Sequence, residues 1–127
     1  VLNDDMTNVI VLDDDQDIRV MLCEIFRLLG AKSCSEFGSV EELKEQPDVS
    51  VGSDLAILDV NLGAGVPSGT DACQWLLEHG YRGKIVFLTG HAKTHPMVKK
   101  AAQTGAQVLE KPTSVGVLAD LLSRGHA

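Results

Sequence analysis

Apolar residues fall into short runs separated by segments with helical spacing. Val9–Leu12, Leu55–Leu58 and Ile85–Leu88 are continuous apolar runs, and Gln107–Leu109 is a shorter strand candidate. Continuous rather than alternating runs are the pattern of parallel strands covered on both faces. Lys32–Phe37 is a weaker fifth strand candidate. Between the runs, Ile18, Leu22, Ile25 and Leu29 recur at i, i+4, i+7 and i+11 and form one helical stripe, closed by Gly30. Ser39 and Glu42 have capping-box spacing before a short helix over 40–46. Ala72, Trp75, Leu76 and Leu77 predict a third helix ending at Gly80. Pro96 suits the first turn of a fourth, with Val98, Ala101 and Ala102 inward and Gly105 at its end. Val115, Leu118 and Leu122 mark the last. Strand and helix thus alternate five times, which implies right-handed crossovers and a doubly wound parallel α/β sheet. Gln46–Asp54 and Gly63–Gly69 are expected to be loops longer than a simple connection needs.

A length of 127 residues is that of one domain, expected over 1–127 with its core at about 8–123 and a flexible segment over 1–7. A chain of this size buries roughly two-thirds or more of its unfolded surface, so folding requires no metal or disulfide staple. With 44% hydrophobic and 23% charged residues the balance is globular. No apolar run can span a bilayer, and no secretory signal or transit peptide is recognised. The chain begins on Val, as a processed protein or a segment of a longer one would. A net charge of −7 without a basic patch speaks against direct binding to nucleic acid or anionic lipid. Cys23, Cys34 and Cys73 are odd in number and lack CxxC spacing. They are expected to be free thiols in a reducing compartment, the cytoplasm.

The chemistry lies at the carboxyl end of each strand. Asp13 and Asp14 come directly after the first run, Asp59 after the third, Thr89 after the fourth, and Lys111 just after the fifth. The carboxyl edge of an open α/β sheet is where ligands bind, so these residues are expected to meet in one pocket. Three carboxylates and one ammonium leave an excess of two negative charges. Two like charges about 4 Å apart cost about 4 kcal/mol at an effective dielectric of about 20, so either protons are retained or a divalent cation is present. Oxygen-only ligands suit a hard ion such as Mg2+. The hydroxyl and the lysine are donors for phosphoryl oxygens, and a carboxylate can itself attack phosphorus.

Four segments, Val9–Arg19 (VIVLDDDQDIR), Leu55–Asn61 (LAILDVN), Ile85–His91 (IVFLTGH) and Gly105–Pro112 (GAQVLEKP), together resemble the response-regulator receiver domain of two-component signalling. The resemblance extends from about Asn8 to Leu122. It implies a flavodoxin-like (βα)5 sheet of strand order 2-1-3-4-5. It also implies that Asp59 is the phosphoacceptor, and that Asp13, Asp14, Asp59 and the backbone carbonyl of Asn61 hold Mg2+. Thr89 and Lys111 would bind the phosphoryl group, and the Lys111–Pro112 peptide would be cis. The implied donor is a sensor histidine kinase or a histidine phosphotransfer protein. Such a chain is a signalling switch rather than an enzyme, controls an output partner that these motifs do not specify, and is able to form a homodimer. Three features depart from the family pattern. Val108 stands where an aromatic switch residue is common, and a short β-branched side chain cannot swing between buried and exposed poses. Thr113 replaces the usual Phe, and Gly63–Gly69 is about two residues longer than the usual loop.

Competing readings are weaker. Asp13, Asp15, Asp17 and Glu24 match calcium-loop positions, but Ile18 stands where Gly is needed and the entering segment reads as strand. A phosphatase of the haloacid-dehalogenase type would use Asp13 and Asp15, yet Asp17 is out of pattern and little chain is left for a cap. A receiver fold used only for unphosphorylated interaction commonly loses the acid pair, the acceptor or the lysine, and all are retained. Asp15 and Asp17 read as helix-start acids. His91 and His95, four apart without a third ligand, read as solvated, and Trp75 reads as packing.

Overall fold

The computed structural model describes residues 7–92 and 94–124. Five parallel strands, β1 (Asn8–Leu12), β2 (Ser33–Phe37), β3 (Leu55–Asp59), β4 (Lys84–Thr89) and β5 (Gln107–Glu110), form one sheet. Their order is β2-β1-β3-β4-β5, the flavodoxin-like arrangement expected. The helices are α1 (Gln16–Leu28), α2 (Val40–Glu45), α3 (Pro47–Ser50), α4 (Gly69–Glu78), α5 (Pro96–Ala102) and α6 (Val115–Arg124).

The continuous apolar runs are explained by two cores, one on each face of the sheet. Ile10, Leu12, Ala56, Leu58 and Phe87 point to the side covered by Val40 and Leu43 of α2, Leu76 of α4 and Ala101 of α5. Val9, Val11, Leu55, Ile57, Val86 and Leu88 point to the other, against Leu22 and Phe26 of α1 and Leu118 and Leu121 of α6. Successive residues alternate faces, so both parities must be apolar. Each buried aliphatic or aromatic side chain contributes about 1.5–3 kcal/mol of transfer free energy.

Several elements differ from expectation in instructive ways. Gln46–Asp54 contains the helical turn α3, started by Pro47 at its first position, where a missing N–H costs nothing. Gly69 belongs to α4 rather than to the preceding loop. Leu77, Ala102 and Val115 are exposed, whereas Cys73, Thr70 and Leu121 are buried. A helix of ten residues or fewer has too few apolar positions to fix its phase by periodicity, so the neighbouring helices decide. The reading of three free thiols is corrected. Cys23 on the inner face of α1 and Cys34 on β2 are paired as a disulfide with Cα atoms 5.3 Å apart, and Cys73 alone is a free, buried thiol among the described residues. Their contact depends on how α1 lies over the edge strand, which spacing along the chain does not reveal. The expected flexible segment over 1–7 falls, in 1–6, outside the described residues. Thr7 itself is buried, and its carbonyl accepts the Lys32 N–H at 2.8 Å.

Helix starts carry local sequence logic. Asp15 caps α1, accepting the N–H groups of Asp17 and Ile18 at 2.9 and 3.3 Å, which confirms it as a helix-start acid. Ser39 Oγ accepts the Glu42 N–H at 3.2 Å, and the Glu42 carboxylate reaches back to the Gly38 N–H at 3.0 Å, one residue beyond the expected partner. At α4 the Asp71 carboxylate accepts the Ser68 N–H at 2.8 Å.

Gly69 links this packing to the pocket. Its N–H donates to the Val60 carbonyl at 3.1 Å, and a Cβ there would run into the Asp59 carbonyl oxygen. Gly69→Ala is therefore expected to lower stability by about 1–3 kcal/mol. Chemical denaturation followed by circular dichroism measures this, and an unchanged midpoint would contradict the close approach of α4 to the end of β3.

Candidate functional site

The parallel register brings the carboxyl ends of four strands to one edge. Leu12 pairs with Leu58, Asp59 with Leu88, and Thr89 with Glu110. Asp13, Asp59, Thr89 and Lys111 therefore emerge side by side, although Asp13 and Lys111 are 98 residues apart. Backbone bonds hold the edge: the Val60 N–H donates to the Leu88 carbonyl at 2.9 Å, and the Lys111 N–H to the Thr89 carbonyl at 2.8 Å. Beyond Lys111, the peptide to Pro112 is cis.

Carboxylate oxygens of Asp13, Asp14 and Asp59 lie within 4.8 Å of one another. Asp13 and Asp59 are buried, and Asp14 is exposed at the mouth. Lys111 Nζ sits 2.8 Å from Asp13 Oδ2 and 3.3 Å from Asp59 Oδ2. Asp13 Oδ1 also accepts the Asp15 N–H at 2.9 Å, so both of its oxygens are engaged. Asp59 receives the longer of the two lysine contacts and is the less compensated carboxylate. Its pKa is pushed up to about 7, first by burial and next by the charge of Asp13, against the opposing pull of Lys111. Burial alone would lower the Lys111 pKa, but its bonds and charge contacts with Asp13 and Asp59 outweigh that, and the net direction is upward.

One ammonium cannot balance three clustered carboxylates. The donor set is oxygen only, partly buried and open on the Asp14 side, which fits a hard divalent cation that keeps some of its water. The buried Thr89 hydroxyl oxygen accepts the His91 N–H at 3.0 Å and retains its own proton for another acceptor. The arrangement can bind a cation beside a carboxylate and donate to an anion from Thr89 and Lys111.

Other expected candidates fall elsewhere. The segment after Asp13 is entered from a strand, as the argument against a calcium loop anticipated. His91 and His95 are half-buried rather than solvated, because their rings stack at 4.3 Å. His95 Nδ1 accepts the Met97 N–H at 3.1 Å and caps α5. His91 Nε2 lies 3.2 Å from Asn61 Nδ2. This contact between two loops is the one site feature that sequence reasoning misses, and the His91 position directly after Thr89-Gly90 is the available clue. Trp75 is half-buried against the core and stacks on His79 at 4.1 Å. Val108 is also half-buried against the core under α5.

A five-stranded parallel sheet with an acidic pocket at its carboxyl edge defines the chain as an α/β protein whose candidate ligand site lies at that edge. The model of the response regulator receiver domain matches residues 9–123, and the chain belongs to that family. No curated protein sequence matches it. Among solved structures, it is similar to a response regulator receiver domain protein from Clostridium thermocellum, with 20% identity, a TM-score of 0.80 and 94% of each chain covered. The chemotaxis protein CheY4 of Vibrio cholerae is 24% identical with a TM-score of 0.75, covering 94% of this chain and 98% of that one. NtrX of Brucella abortus, solved with ADP, is 21% identical with a TM-score of 0.79; 94% of this chain matches 27% of that longer one. Receiver domains are signalling domains of two-component systems, and phosphorylation on Asp and Mg2+ binding at an acidic pocket are general properties of the family. No helix among the described residues is long and apolar enough to cross a membrane.

The raised pKa of Asp59 has a thermodynamic consequence in metal-free protein. With a native value of about 7 against 3.8 in the unfolded chain, the native state holds this proton more tightly. The stabilisation from the protonated form is complete below about pH 4 and is lost as pH rises to about 7. Asp59→Asn removes that dependence. In the presence of a chelator, its melting temperature is expected to rise relative to wild type between pH 5 and pH 8. Parallel pH profiles for the two proteins would contradict the assignment.

Proposed function

We propose that this chain, read as one receiver domain over 1–127, accepts a phosphoryl group on Asp59 from a phosphohistidine of a sensor histidine kinase or histidine phosphotransfer protein. The observation that carries the proposal is the cluster of three carboxylates with Lys111 Nζ bridging two of them, Asp13 and Asp59. In this reading Asp13, Asp14, Asp59 and the backbone carbonyl of Asn61 hold Mg2+. When bound, the ion supplies positive charge beside the transferring group.

The chain's own residues do the rest. An Asp59 carboxylate oxygen attacks phosphorus, forming an O–P bond as the N–P bond of the phosphohistidine breaks, and the departing imidazole takes up a proton. Lys111, held near both buried carboxylates, is within side-chain reach of an oxygen on the newly formed acyl phosphate. Thr89 donates its hydroxyl proton to another. Neither of these two residues forms a covalent bond, so their contribution is positioning and electrostatics. The phosphoryl group then shifts the balance between two conformations through its contacts with Thr89 and Lys111. With Val108 in place of an aromatic, that shift proceeds without a swinging ring.

Incubation with acetyl phosphate and Mg2+, followed by intact mass measurement, tests the reading. An adduct of about 80 Da is expected on wild type, lost with a chelator and absent from Asp59→Asn. An unmodified wild type, or an adduct that persists on Asp59→Asn, would contradict it.

A further inference from the structure

His91 makes three contacts at the rim of the pocket, one of which, to Asn61, joins the β4–α5 loop to the loop after β3. Its backbone N–H donates to Thr89 Oγ1 at 3.0 Å. Its Nε2 lies 3.2 Å from Asn61 Nδ2. Its ring stacks on His95 with centroids 4.3 Å apart and planes inclined by 21°. The direction of the Asn61 contact is set by the other end of the amide. Asn61 Oδ1 accepts the Gly63 N–H at 3.0 Å, so the NH2 group faces the imidazole and Nε2 is the acceptor. His95 is fixed in turn, because its Nδ1 accepts the Met97 N–H at the start of α5.

Asn61 is therefore gripped from two loops, its own through Gly63 and the β4–α5 loop through His91. The segment after Leu62 is exposed over residues 63–67 and carries two glycines, Gly63 and Gly65, with φ of +126° and +75°. A backbone carbonyl that serves as a metal ligand has no side chain of its own to aim it; its direction is set by the peptide planes on either side. Holding the Asn61 amide holds those planes. Resting on the reading in which the Asn61 carbonyl is a Mg2+ ligand, we propose that His91 is a positioning residue for the metal site, acting through the Asn61 side chain. Groups that orient metal ligands from outside the coordination sphere typically account for about 10- to 100-fold in metal affinity.

The test is a calorimetric Mg2+ titration of the unphosphorylated chain, in wild type, His91→Ala, Asn61→Ala, the double variant and His91→Gln. His91→Ala is expected to weaken Mg2+ binding about 10-fold while keeping its far-ultraviolet spectrum. The double variant is expected to bind no more weakly than Asn61→Ala alone, because both substitutions remove the same contact. His91→Gln, whose side-chain carbonyl can accept the same N–H, is expected to recover most of the affinity. Wild-type affinity in His91→Ala, or a double variant in which the two single losses multiply, would overturn the proposal. A wild type with no saturable Mg2+ binding would overturn the metal reading beneath it, and only that result appears in the unsubstituted protein.

Discussion

The structure turns on one shared cation. Lys111 Nζ stands between Asp13 and Asp59, two carboxylates that burial would otherwise penalise heavily. Its position ties the last strand of the sheet to the first and the central one, at the edge where all three end. The compensation is incomplete, because three carboxylates cluster there and Lys111 favours Asp13 over Asp59 by half an ångström. That imbalance leaves Asp59 the least stabilised anion of the group. Perturbation of a buried carboxylate by burial and a like charge is common at functional sites.

Much of the fold is legible along the chain because parallel strands buried on both faces write an unmistakable pattern. Val9–Leu12, Leu55–Leu58 and Ile85–Leu88 each lack a polar parity, and the structure places their alternate residues in two different cores. Each run ends where a polar residue begins, so Asp13, Asp59, Thr89 and Lys111 can be grouped from the sequence alone. Shorter helices are less legible. Leu77 and Val115 look like core residues in a helical count, yet the packing of α4 and α6 turns them outward. In α5 the count agrees with the structure at Val98 and Ala101 and fails at Ala102.

The features that escape the sequence are those created by approach between elements. The Cys23–Cys34 pair joins α1 to an edge strand and has no spacing signature. The grip of His91 on Asn61 joins two loops of the same rim, separated by 30 residues. His91 and His95 at i and i+4 suggest a solvated pair, but a ring stack and a capping bond absorb them. In each case the residue types are visible and the partner is not, because a loop's path depends on the elements it connects.

The central claim is that the pocket holds excess negative charge centred on Asp59. Its most direct test is a carbon-13 NMR titration of the Asp59 carboxyl carbon, with and without Mg2+. The account predicts an apparent pKa of about 7 in metal-free protein, falling well below that value when Mg2+ is added. A carboxyl that titrates near the ordinary 3.8 and is indifferent to Mg2+ would contradict it.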